Sequence, residues 1–330
     1  MTTTAQRPAT APARGMAWIP GGSFLMGSDD FYPEERPAHQ VSVDGFWMDE
    51  HPVTVAAFRR FVKATGYVTV AERPLDARDY PGADPADLVP GALVFSMTRG
   101  PVDLDDWRRW WDYRPGASWR HPQGMNTTLN GRERHPVTQV AYEDARAYAE
   151  WAGKDLPTEV EWEFAARGGL DSAVFPWGDD FTPKGRRMAN TWHGRFPWEY
   201  EPRGKTNPAP GTTPVGAYPP NGYGLYDMVG NVWEWTTAHY TSHHPAPVPS
   251  ACCAPRNTRV DTPREPAPDP ASSPMERFPR RVIKGGSHLC APNYCLRYRP
   301  AARQAQSEDT ASCHLGFRCI LRRPTDRLTD

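Results

Sequence analysis

Cys290 and Cys295, in "KGGSHLCAPNYC", stand five positions apart in a chain with only six cysteines among 330 residues. Three chemistries suit such a pair. Two thiolates are soft donors that match a copper(I) ion, which accepts two ligands, whereas zinc normally takes four in a tetrahedron. A disulfide is sterically possible, but it closes a short loop and stabilises little. The third reading is a pair of inert thiols. A zinc site would need further ligands, and His243, His244, Cys252 and Cys253 are the candidates. Adjacent cysteines point poorly at one ion, since zinc signatures separate their ligands by about two to four residues. That quartet suits either transient copper delivery or a reactive exposed loop.

Oxygen donors form a second constellation. In "GLYDMVGNVWEW", Asp227 and Glu234 lie seven residues apart with a glycine and several carbonyls between them. Such a curl can wrap Ca2+; the plainer reading is a turn whose carboxylates cap backbone N–H groups.

These residues need a frame. "MAWIPGGSFLMGS" from Met16 reads as a strand with a hairpin, and "HQVSVDGFWMDE" continues in strand style. The stretch 51–66 places Phe58, Phe61 and Val62 on one helical face, with Thr54 as N-cap and Gly66 as the stop. "HPVT" recurs at 135, before a helix with Tyr142, Ala145 and Ala149 on one face, so either a pseudo-repeat or shared capping chemistry is expected. Thr158 and Glu161 have capping-box spacing for a third helix that Gly168 and Gly169 end. Residues 72–134 hold no sustained period. Residues 243–281 are rich in proline and poor in large apolar side chains, which predicts an exposed excursion inside a domain.

Composition narrows the class. With 37 prolines, 27 glycines and 13 tryptophans, the chain reads as a fold rich in loops. A formal charge of −1, without long runs of either sign, gives no footprint for nucleic acid or an anionic membrane. Residues 1–14 lack the apolar core of a secretory signal and read as a disordered lead, and no apolar stretch approaches a membrane span. The expectation is a cytoplasmic protein. In that compartment cysteines more often bind metal, react or stay inert than crosslink.

Five stretches in order, "MAWIPGGSFLMGS", "LPTEVEWEFAARGG", "PNGYGLYDMVGNVWEWT", "RVIKGGSHLCAPNYCLRYRPAAR" and "HLGFRC", resemble the formylglycine-generating enzyme family, also called sulfatase-modifying factors. The resemblance spans about residues 16–322. It implies one α+β domain over 15–322, C-type-lectin-like and low in regular secondary structure, with a tail at 323–330. It also implies an activity: oxidation of the cysteine in a Cys-x-Pro-x-Arg segment of an unfolded sulfatase to Cα-formylglycine, using O2 and copper(I). A monomer is expected.

The site residues that the resemblance implies follow position by position. Cys290 and Cys295 hold copper, with Cys295 the firm ligand and Cys290 the more exposed, exchangeable thiol. Ser287 and Tyr294 match positions that donate hydrogen bonds near the metal and the oxygen pocket; on its own, Ser287 also reads as a turn hydroxyl. Trp233 matches a tryptophan that walls the site, although most of the tryptophans must be core. His314 stands where the family places an asparagine near the bound peptide. Asp227, the carbonyls of Gly230 and Val232, and Glu234 match a structural calcium site. Asn190, the Thr191 carbonyl, Asn207 and the Ala209 carbonyl match a second, weakened because Asn207 replaces an aspartate. Cys319 lacks the partner that secretory members offer, since Ala149 occupies that place, so a free buried thiol is expected. Arg297 and Arg299 flank Tyr298 with strand-like alternation and read as solvated or ion-paired.

Two other classes compete with the enzyme: a non-catalytic peptide-binding module of the same fold, and an iron-dependent sulfoxide synthase. A binding module has no need of the cysteine pair. The His-x3-His-x-Glu cluster and extra helical domain of the synthases are absent from the sequence.

Overall fold

A computed structural model describes residues 13–202, 209–244 and 278–322 of the chain. Strands β1 (Met16–Ile19), β2 (Gly22–Met26), β3 (His39–Val43) and β4 (Phe46–Asp49) precede helix α1 (Val55–Thr65). Next come β5 (Gly91–Phe95), β6 (Trp111–Pro115), α2 (Tyr142–Trp151) and α3 (Glu159–Arg167). The last elements are β7 (Trp233–His239), β8 (Arg280–Lys284), β9 (Arg303–Ser307), β10 (Leu315–Gly316) and β11 (Ile320–Arg322). The result is an α+β domain in which short elements are tied together by long ordered loops.

Local chemistry explains the helix ends. Thr54 accepts the Ala57 N–H ahead of α1, and Gly66 closes that helix in the left-handed region at φ 69°. Thr158 and Glu161 exchange hydrogen bonds as a capping box at the start of α3, and Gly168 ends it at φ 61°. Two sequence expectations are corrected here. The predicted hairpin at 16–28 does not form: β1 pairs with β4 and β2 with β3, because Pro20 and Gly21 redirect the chain between two sheets. The second "HPVT" does not cap α2, whose N-cap is Ala141. Instead the two tetrapeptides lie side by side, bridged at Thr54 and Pro136, with Val137 N–H donating to the Val53 carbonyl. Their likeness reflects pairing with each other rather than shared capping.

The sheets order as β1-β4-β11, β10-β7-β8-β9, β2-β3 and β5-β6. Two apolar clusters fill the space between them. One joins Phe58, Phe61, Tyr148, Phe317 and Trp235 to Trp233, Cys290 and Cys295; the other packs Phe24, Val41, Phe46 and Met48 on Trp162 and Phe164 of α3. Each large buried side chain of this kind stabilises the fold by about 1.5–3 kcal/mol relative to exposure.

Three segments from the sequence reading fall wholly or partly outside the described residues. They are most of the lead at 1–14, the tail at 323–330, and the interior of the excursion, including Cys252 and Cys253. The excursion's predicted edges are corrected: residues 280 and 281 already belong to β8, and His244 is buried against His39, its ring centroid 4.9 Å away. No helix among the described residues is long and apolar enough to cross a membrane.

One buried acid lends the fold a pH dependence. Asp144, at the start of α2, accepts from the Ala141 and Val70 N–H groups and the Tyr67 hydroxyl, yet burial pushes its carboxyl up to about 6. A carboxyl raised above its unfolded value near 3.8 holds its proton more tightly when folded. Its contribution to stability is therefore fully present below about pH 4 and falls away as pH rises through about 6. Stability curves of Asp144→Asn against the parent should diverge across that window, with the variant less sensitive to rising pH; parallel curves would contradict the assignment.

Candidate active site

The site gathers at one end of the four-stranded sheet. β8 delivers the chain to Gly285 and Gly286, whose φ values of 92° and 69° turn it sharply. A Cβ on Gly286 would stand 2.7 Å from the Arg297 carbonyl, so glycine alone lets the two limbs of the loop close on each other. The loop then winds through Ser287 and Cys290 to Cys295, where the Cys295 N–H donates to the Ala291 carbonyl at 2.7 Å. Parallel pairing of β10 with β7 places His314 beside Trp233, whose N–H donates to the His314 carbonyl at 2.8 Å.

Cys290 and Cys295 are both buried and free, with sulfurs 3.2 Å apart. That is contact without a bond, since a disulfide brings sulfurs to about 2.05 Å. The two thiols are not equivalent. The Cys290 S–H donates to Cys295, and the Arg297 charge and backbone N–H add to it, so the Cys295 thiol is lowered to about 7 despite burial. Burial and the neighbouring Cys295 push Cys290 well up. One proton is thus held between two sulfurs, on Cys290, leaving Cys295 as the thiolate.

Around the sulfurs the chain supplies polar and aromatic walls. The Ser287 N–H donates to Cys290 Sγ at 3.4 Å, and its hydroxyl lies 3.2 Å from His314 Nδ1. Burial, with His288 nearby, drives the His314 ring down to about 3, so it is neutral at neutral pH. Trp111 meets the His314 ring edge to face, centroids 4.7 Å apart. Tyr294 stacks on Phe196 at 4.6 Å and stays 38% exposed, the rim of the site rather than its floor. Trp233 is buried in the same cluster as the cysteines.

Sequence reading missed the support behind Cys295. Tyr32 accepts the Leu296 N–H through its hydroxyl, and Arg297 sits 3.9 Å above the Tyr32 ring while pairing with Glu34 at 2.6 Å. Arg299 pairs with the buried Glu35 through both carboxylate oxygens. The expectation of ion pairing holds for both arginines, whereas the strand-like alternation does not: residues 295–298 form no strand, because turns at 292–294 and 299–301 bracket them. Only acidic residues near 30 hinted at these partners, some 260 positions away in sequence.

The pair fits a soft monovalent metal. It offers two sulfur donors in an apolar surround, one already anionic near neutrality. Among the described residues no group of three or more His, Cys, Asp or Glu side chains is arranged around one point, so no tetrahedral zinc set is built there.

The calcium candidates are uneven. Asp227, Gly230 and Asn231 turn through positive φ values of 54°, 75° and 63°, forming the expected curl. Asp227 accepts the Gly216 N–H at 2.8 Å, and burial followed by the Glu234 charge pushes its carboxyl up to about 6. A buried acid with so few partners fits a hard cation. Glu234 fits less well, because Arg318 takes both its oxygens and Trp162 Nε1 donates to one of them. Asn190 donates to the Gly211 carbonyl and to Asn231 Oδ1. Asn207 of the second set lies outside the described residues, while Thr191 and Ala209 flank the gap. Asn231, unremarked in the sequence, is the hub here: it bonds Asn190, Thr213 and His288, and so ties the curl to the cysteine loop.

Comparison with known proteins adds identity to this geometry. A family model described as the sulfatase-modifying factor enzyme 1-like domain matches residues 2–323. The "Formylglycine-generating enzyme" of Mycobacterium tuberculosis is 58% identical over 92% of this chain and 96% of its own length. The "Inactive C-alpha-formylglycine-generating enzyme 2" of Mus musculus is 36% identical over 92% of this chain and 84% of its own. Among solved structures, PvdO from Pseudomonas aeruginosa superposes with a TM-score of 0.59 at 22% identity, covering 96% of this chain and all of that one. At that identity the likeness concerns the fold alone.

Proposed function

Because the chain belongs to the sulfatase-modifying factor family, we propose that it oxidises a cysteine in an unfolded sulfatase, within a Cys-x-Pro-x-Arg segment, to Cα-formylglycine. The observation that carries this reading is the free, buried and unequal pair Cys290–Cys295. Copper(I) bound there would supply the one-electron chemistry that O2 requires. Cys295, already deprotonated near neutral pH, suits the permanent ligand, and Cys290, which keeps the proton, suits the thiol that yields to an incoming substrate thiol. The proton that the substrate thiol gives up can pass to Cys290 as that sulfur leaves.

Ser287 and the neutral His314 ring place a hydroxyl and an imidazole beside Cys290, where they orient the reacting chain without adding charge. Trp233 and the aromatic group of Trp110, Phe196 and Tyr294 exclude water from one side. Turning a CH2SH group into a thioaldehyde removes two electrons, while reduction of O2 to water takes four; an external reductant must supply the difference. Water then hydrolyses the thioaldehyde to the aldehyde.

A relative named inactive makes a non-catalytic binding module the second reading. The two sulfurs in contact favour the enzyme, since peptide binding alone gives no reason to bring two thiols together in a dry pocket. The deciding experiment incubates the copper(I)-loaded protein in air with a Cys-x-Pro-x-Arg peptide and a thiol reductant. Mass spectrometry should find the cysteine replaced by an aldehyde that a hydrazide traps. Peptide recovered unchanged, though bound, would favour the binding module.

We also propose a structural Ca2+ at the Asp227 curl, supported by the underpartnered acid and the run of positive φ values. Adding calcium to chelator-treated protein should raise its unfolding temperature by several degrees, and Asp227→Asn should remove most of that rise; asparagine also tolerates the left-handed backbone there. An equal rise in the variant would place the cation elsewhere.

A further inference from the structure

The cysteine pair sits where a net negative charge is costly, and one positively charged side chain is aimed at it. We propose that Arg297 is the counter-cation of the metal-bound thiolate pair, a positioning residue fixed in place by Tyr32 and Glu34; this rests on the copper reading above. Two thiolates and one monovalent metal carry a net charge of −1, and a substrate thiolate makes it −2. Buried charge of that kind must be matched nearby.

Arg297 is built for the task. Its guanidinium keeps its charge at any pH the protein meets. It follows Cys295 by two residues, its backbone N–H bonds that sulfur, and its charge favours the thiolate. Its Nε is buried and finds no acceptor of normal geometry among the described residues, so the donor is not consumed by the protein's own structure. The rest of the group is held rather than mobile: Nη2 meets Glu34 at 2.6 Å, and the plane lies 3.9 Å over Tyr32. Tyr32 in turn accepts the Leu296 N–H at 3.0 Å, so one aromatic ring fixes both the cation and the backbone between it and Cys295. The loop carrying Tyr32 and Glu34 is itself anchored by the buried pair of Glu35 with Arg299 and by Arg299 packing 3.6 Å over Phe31.

A merely structural ion pair makes a different forecast from a counter-cation. If Arg297 and Glu34 only tether the loop, removing either should have the same effect. If Arg297 compensates charge at the metal, Glu34 partly cancels its field, and the two removals act in opposite directions.

The test is copper(I) affinity, measured by competition with a chromophoric chelator under anaerobic conditions, for the full chain and for Arg297→Gln, Arg297→Lys and Glu34→Gln. Outer partners of metal ligands typically contribute about 10–100-fold in affinity. Arg297→Gln is expected to weaken binding by that factor, Arg297→Lys to recover most of it, and Glu34→Gln to bind as tightly as the parent or more so. Weakening by Glu34→Gln comparable to that by Arg297→Gln, or equal loss in the Gln and Lys variants, overturns the proposal. If Arg297→Gln does not fold, Glu34→Gln still decides by the direction of its effect. A parent protein whose copper binding is unchanged by Cys290→Ser and Cys295→Ser overturns the copper reading itself, an outcome distinct from the failure of Arg297.

Discussion

Cys295→Ser is expected to lower conversion of a Cys-x-Pro-x-Arg peptide by on the order of 10³-fold or more, the scale seen when one member of a catalytic unit is removed. Serine is a hard donor that stays protonated at neutral pH, so the variant loses both the thiolate and the acceptor for the Cys290 proton. Cys290→Ser is expected to be as inactive but different in kind. A serine hydroxyl can still donate to Cys295, which should remain the thiol that iodoacetamide labels near neutral pH. Both variants exchange one buried atom, so their unfolding temperatures should stay within a few degrees of the parent. Retention of more than a tenth of the activity in folded Cys295→Ser would remove that sulfur from the chemistry.

The second large effect concerns stability. Arg318 and Glu234 are both essentially inaccessible to solvent, and Arg318 grips the carboxylate through Nε at 2.7 Å and Nη2 at 2.8 Å. The same guanidinium bonds the carbonyls of Tyr226, Asp227 and Asp49, so it ties the Asp227 curl to the strand that carries Asp49. Replacing Arg318 by methionine strands a buried carboxylate and several carbonyls, which typically costs about 3–5 kcal/mol. That is a large share of the roughly 5–15 kcal/mol that folds a domain. Chemical denaturation should show the loss, and the double variant Arg318→Met, Glu234→Gln should recover part of it because no bare charge remains. A loss below about 1 kcal/mol would show that water or another cation reaches Glu234 readily.

Much of the frame was legible because its signals are local. Thr54, Thr158, Gly66 and Gly168 act within one helical turn of their own positions, so the caps of α1 and α3 could be read directly. The fate of "HPVT" at 135 could not, since its partner is the copy more than eighty residues earlier. The 16–28 stretch failed for the same reason: its alternation was correct for strands, but strand pairing is a long-range choice that alternation does not encode.

The sequence by itself determined the reactive inventory: two thiols at fixed spacing, the Gly-Gly turn before them, and the acid-rich curl of 227–234. It also carried the family likeness that gave the cysteines a function to test. Tertiary structure alone decided how those groups differ. Cys290 keeps a proton and Cys295 sheds one because a cation, an aromatic ring and an acid from residues 32–34 converge behind only one of them. Glu234 is spoken for by Arg318, whereas Asp227, seven residues earlier, is left short of partners. Residue type sets which charges a side chain can carry; burial and neighbours brought from distant parts of the chain set which one it does carry.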